Sequence, residues 1–319
     1  MRFATAMLGL ALAVAAPAAA APAVDDIEGV TLDEFVVQGR LPGPAWWKVS
    51  DGDTVVYVLG APDALPKGLA WDQSVLKRRL AGANVLITPP EVRASARATA
   101  LPRLYAQYRE VSRADVDLMT RLSPAQQARL AAAAGKVGKS PDAYRKLEPW
   151  FAGGQLAGDF RKRSALQVGA PVSAARKAAK RAKVRVTPAM VLNTTATSLL
   201  GQLDAVTPAE GLACLDGAIA EAEAGPGALR RAGRAWATGD VAGALTAPRS
   251  VERCLAAVPG AAEMKRDALA RQAAAIEEAL RKPGHAVAVL PLRSLVAREG
   301  VLQRLRAKGY TVTSPEGAE

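Results

Sequence analysis

The sequence predicts an α/β protein, a central β-sheet built from the N- and C-terminal segments with a large helical insertion over about 103–258. Three observations carry this. "WWKVSDGDTVVYVLG" alternates apolar and polar residues on both sides of Asp51-Gly52, which marks a β-hairpin. The middle of the chain is rich in Ala and in helix-capping signals. After Pro283-Gly284 the pattern returns to strand, helix and strand.

In chain order, 24–44 reads as an extended lead-in, broken by Gly39, Pro42, Gly43 and Pro44. The hairpin follows, then a helix over 72–81 and a buried strand at "NVLIT", so the chain opens β-β-α-β. In "LSPAQQARLAAAA", Ser123 is an N-cap, Pro124 takes the first helical position and Gln126 closes a capping box. "SPDAYRKLEPW" predicts a helix from Ser140 that stops before Pro149. "SAARKAAKRAKVRV" places Arg176, Lys180 and Lys183 on one solvated helix face and leads into a short strand. Ala-rich helices follow over 208–258, with a turn at Gly225-Pro226-Gly227.

The helix over 263–282 sets Met264, Leu269, Ile276 and Leu280 near one face. "HAVAVL" is a strand, "SLVAREGVLQRLRAKG" one helix closed by Gly309, and "YTVT" the last strand.

The first residues, "MRFATAMLGLALAVAAPAAAAPA", have the form of an export signal. Arg2 supplies the charge, 6–15 the apolar run, and Ala19 and Ala21 the small-residue site. Removal of 1–22 would leave a single domain over 23–319 in the periplasm or outside the cell, with no membrane-spanning stretch. Its two cysteines, Cys214 and Cys254, are expected to pair in that oxidising setting.

Forty-two Lys and Arg against 30 Asp and Glu give a net charge of +12. In an exported chain this points to anionic envelope polymers or lipid surfaces as partners rather than DNA. Aromatics are only 4 % of residues, which argues against the stacking platforms of single-strand nucleic-acid binding. No G-x-S-x-G, Walker A or G-x-G-x-x-G sequence occurs, and His285 is the one histidine. At the start of a strand it reads as structural.

The segment "GPAWWKVSDGDTVVYVLGAPDALPKGLAWD" resembles the opening of the TraB/GumN family, relatives of the Tiki metalloproteases. "YRKLEPWFA", "RAWATGD", "RDALARQAAAIEEALRKPGHAVAV" and "GVLQRLRAKGY" resemble its middle and close. The resemblance implies a site where two Gly-x-x-His turns and a glutamate hold a divalent metal that activates water.

On this chain the first turn is Gly60-Ala61-Pro62-Asp63, with Asp63 at the histidine position. The glutamate position falls near Pro89, the second turn on 291–294, and Arg266 matches a family arginine. Ser173 and Thr194 stand where further carboxylates are expected.

The resemblance therefore implies a frame that persists, through Gly60, Asp63, Arg266 and Ser294, without its ligands. The expectation is a non-catalytic pseudoenzyme with no metal and no cofactor, whose cleft binds a peptide or anionic glycan through Arg266 and Arg293. The alternative is an active hydrolase holding a divalent metal through Asp63 and Glu91.

Overall fold

The computed structural model describes residues 43–313. The expected export signal, most of the lead-in and residues 314–319 lie outside the described residues.

Strand β1 (Trp46–Ser50) turns into β2 (Val55–Ala61) in antiparallel register, Trp46 opposite Leu59 and Ser50 opposite Val55. Asp51 Oδ1 accepts from the Thr54 amide at 3.1 Å inside the turn. A short β3 (Ala64–Pro66) precedes α1 (Ser74–Leu80), β4 (Val85–Thr88) and β5 (Glu91–Ser95). Then come α2 (Leu101–Ser112), α3 (Pro124–Lys136), α4 (Pro149–Arg163), β6 (Leu166–Val168), α5 (Ala170–Arg181), β7 (Arg185–Pro188) and β8 (Val191–Thr195). The chain continues through α6 (Ala196–Asp204), α7 (Pro208–Ala237), α8 (Val241–Leu245), α9 (Ser250–Ala256) and α10 (Ala261–Leu280). It closes with β9 (His285–Pro291), α11 (Leu292–Val296), α12 (Val301–Ala307) and β10 (Thr311–Thr313).

The main sheet has the order β10-β1-β2-β9-β4-β7. β2, β9, β4 and β7 run parallel, and β1 is antiparallel to both its neighbours. The unbroken apolar run of β9 suits its central place. Ala286 to Leu290 are each at most 1 % exposed, as expected of a parallel strand covered on both faces. His285, at its start, hydrogen-bonds the Arg79 carbonyl through Nε2 at 2.9 Å.

Two apolar clusters hold the fold together. The sheet cluster gathers Trp47, Val58, Leu59, Leu86 and Val287 with Trp236 of α7 and Ile276 of α10. The helical cluster gathers Leu130, Tyr144, Leu156, Leu215 and Ile219, most of them from α3, α4 and α7. Each buried Leu, Ile or Val stabilises by about 1.5–3 kcal/mol. Helix α7 belongs to both, with Leu229 in one and Trp236 in the other. No helix is long and apolar enough to cross a membrane among the described residues.

Several elements differ from the sequence expectation. No helix runs from Ser140 to Pro149: a single 3-10 turn, Pro141–Ala143, forms there. Pro149 instead opens α4, because a proline at the first helical position lacks only an amide the helix would not use. The closing helix is split into α11 and α12. Ala297 turns extended, and a Cβ on Gly300 would stand 2.6 Å from the Ser294 carbonyl oxygen. Lys183 lies past the end of α5 with φ 57°, and Met264 is exposed while Leu269, Ile276 and Leu280 are buried. The capping box at Ser123 and Gln126 forms as expected.

Candidate functional site

β2 and β9 run side by side in parallel, Gly60 opposite Leu290 and Ala61 opposite Pro291. The "GAPD" turn and the "LPLRS" segment therefore emerge together at the carboxyl ends of adjacent strands, the usual place for a site in such a sheet.

Gly60 is needed there by packing. A Cβ would stand 2.5 Å from Leu292 Cδ1 and 3.0 Å from Trp47 Cζ3. Its carbonyl accepts from Trp236 Nε1 at 2.7 Å, so the tryptophan of "RAWATGD" anchors the strand end. Trp71 packs edge-on to that indole, with centroids 5.1 Å apart. The Asp63 carbonyl accepts from the Gly169 amide at 2.9 Å, which fixes the turn.

The cleft that results has about 50 Å³ of open interior, the space of a few water molecules. Asp63, Arg161, Arg249, Glu252 and Arg293 line it. Arg293 is largely committed: Nη2 donates to the Ala247 carbonyl at 2.7 Å and to that of Leu245, and Nε lies 3.6 Å from Glu252. Arg249 Nε donates to Glu252 at 2.7 Å.

Arg161 differs. It makes no hydrogen bond or ion pair among the described residues, and its Nε is buried without a partner. Burial raises the Asp63 carboxyl above its ordinary value and Glu252 adds to this, while Arg161 and Arg293 oppose it. Asp63 itself keeps surface open to solvent at the cleft mouth.

Behind this wall Glu221 is 2 % exposed. Its Oε2 accepts from Ser250 Oγ and its Oε1 has no partner. Cys214 and Cys254 form a disulfide, Cα atoms 4.5 Å apart, that ties α9, and with it Glu252, to α7.

The chain's residues do not fit a divalent metal here. No three His, Cys, Asp or Glu side chains converge among the described residues. The two carboxylates of the cleft stand among three guanidinium groups, whose charge repels a cation.

The TraB/PrgY/gumN family pattern matches residues 45–314. The chain belongs to this family. No curated protein and no solved structure matches it.

In this TraB/PrgY/gumN protein only part of the expected set meets at the strand ends. Gly60, Asp63 and Arg293 do. Ser294 follows them on α11 but is not part of the lining. Arg266 lies elsewhere, 62 % exposed on α10 and 3.9 Å from Glu263. Glu91 is bound by Arg93 at 3.1 Å and by Arg176, which hold its carboxyl below the usual range. Arg176 also donates to Thr88 Oγ1 at 3.1 Å, so that helix face is not purely solvated. Pro89, Ser173 and Thr194 do not line the cleft.

Sequence reasoning missed Arg161, Arg249 and Glu252. The Arg249–Glu252 spacing is a readable i,i+3 pair. Arg161 had no such signal: in "RKR" at the end of α4 it looks like an ordinary complement to the helix dipole.

Proposed function

We propose that the chain is an exported envelope protein, periplasmic or secreted, whose family hydrolytic site has lost its metal ligands and now binds rather than cleaves. Its cleft takes one small anionic group, a carboxylate or similar, carried by a peptide or an anionic envelope polymer that stays outside. The observation that carries this is Arg161, a guanidinium lining the cleft whose buried Nε has no hydrogen-bond partner. A buried unpaired donor costs stability unless a ligand satisfies it. The opening of about 50 Å³ admits a group of that size and not a chain segment. Such a group would meet the carboxylates of Asp63 and Glu252 against three guanidinium groups, those of Arg161, Arg249 and Arg293. The signal-like first residues and the disulfide support the placement outside the cytoplasm.

The test is titration of the purified chain with acidic peptides and anionic glycan fragments. Arg161→Gln should weaken the best binder by about 10-fold or more, the value of a charge-assisted hydrogen bond. Metal analysis and a peptide-library assay in manganese, cobalt and zinc complete it. Stoichiometric metal with chelator-sensitive cleavage that Asp63→Ala abolishes would favour a working hydrolase and sink the binding reading.

A further inference from the structure

A second cleft, of about 660 Å³, lies between α2, the start of α4 and the α6–α7 corner. It shares no lining residue with the cleft at the strand ends. Its volume is in the range of sites that enclose a small ligand.

Aromatic rings form one wall. Trp150 and Phe151 line the cleft, their centroids 5.3 Å apart and edge to face. Phe151 meets Tyr108 of α2 in the same way at 5.9 Å, and Tyr108 is 48 % exposed. Trp150 is held in place, because its Nε1 donates to the Cys254 carbonyl at 2.9 Å.

Planar charged groups of both signs line much of the rest, among apolar residues such as Val111, Leu203 and Val206. Arg121 and Glu148 are paired at 2.9 Å. Arg113, Glu110, Asp115 and Asp204 make no side-chain hydrogen bond or ion pair among the described residues, although all four line the cleft.

A hydroxyl both donates and accepts. A carboxylate can accept from two neighbouring hydroxyls, and a guanidinium can donate to two. The C–H faces of a pyranose ring pack against aromatic faces as other apolar surface does. A strongly anionic ligand would meet unpaired carboxylates here. A peptide adding as a strand would find no strand edge, because helices and their connections supply the lining.

We propose that this cleft binds a segment of neutral oligosaccharide. Trp150 and Phe151 stack against the sugar rings, Tyr108 supports Phe151 from behind, and Asp115, Asp204 and Arg113 bond their hydroxyls. The proposal does not depend on the strand-end cleft.

Calorimetric titration of the full chain with cellohexaose, maltohexaose and chitohexaose tests it. At least one should bind saturably with a stoichiometry near one. Phe151→Ala and Asp204→Asn should each weaken that binding by about 10-fold. Asp204 is exposed, so its variant reports on the site even if Phe151→Ala fails to fold. Asp63→Asn should leave the affinity unchanged. Absence of binding by all three sugars at millimolar concentration would overturn the proposal. So would an affinity that Asp204→Asn leaves intact and Asp63→Asn abolishes, or short peptides occupying the site where the sugars do not.

Discussion

Glu221 shows how one buried carboxyl can couple folding to pH. Desolvation pushes it above its ordinary value of 4.5, and Arg161 pulls it back only in part. Between 4.5 and that raised value the folded chain holds the proton that the unfolded chain has lost. Stability contributed by this group therefore falls as pH rises through that window. Glu221→Gln keeps an acceptor for Ser250 and cannot titrate. Urea midpoints of the variant should fall less than those of the parent between mildly acid and mildly alkaline pH. The unpaired Oε1 implies a cost of about 1–3 kcal/mol at the ionised end of the window. Parallel pH profiles for parent and variant would show that Glu221 is not strained. Gly60 makes the same point through packing: its missing side chain, not its backbone freedom, lets Leu292 and Trp47 close over the strand end.

At the scale of elements, α9 depends on α7. The helix has only seven residues, too few to persist alone in water. The Cys214–Cys254 disulfide and the Ser250–Glu221 bond tie it down from one side. The cysteines are 40 residues apart, so the cross-link should stabilise by about 4 kcal/mol in the chain-entropy account. The double variant Cys214→Ser, Cys254→Ser should lower the urea midpoint by a matching amount. It should also loosen Glu252 and the pairs it makes with Arg249 and Arg293, seen as faster amide exchange across α9. An unfolding free energy within about 0.5 kcal/mol of the parent would mean that packing alone positions the helix.

Across the whole molecule, burial is uneven. β2, β9 and β4 lie in the sheet cluster with side chains near complete burial. By contrast β5, β8 and α6 contain no buried residue, and α2 buries only Val111 and Ser112. The β5–β8 pair is a two-stranded parallel ribbon that forms no part of the main sheet, and such ribbons are marginal by themselves. Amide hydrogen exchange should therefore be fastest in 91–95 and 191–204 and slowest in β2 and β9. Equal protection in both regions would contradict this ordering.

The hairpin at Asp51-Gly52, the Ser123 capping box and the strand that becomes β9 were legible because each rests on local chemistry or on an unbroken apolar pattern. The family frame was legible too, since the order of individually weak motifs along 45–314 carries it. What sequence left open depends on distance in space. Pro149 reads equally as the stop of one helix or the start of another, and packing of α4 on α7 selects the start. Arg266 and Arg293 look alike in sequence. Only the fold sets one on an exposed helix and the other in the cleft against two carbonyls and Glu252. Arg161 stands about 100 residues from Asp63 in the chain, and local pattern holds no trace of a meeting across such a loop. By itself the sequence determined the terminal strands, the helix cap at Ser123 and the lineage, because those follow from neighbours along the chain, while the sheet also recruits β7 from within 103–258. Which charges share a cleft, and which stay unpaired, was decided by tertiary packing alone.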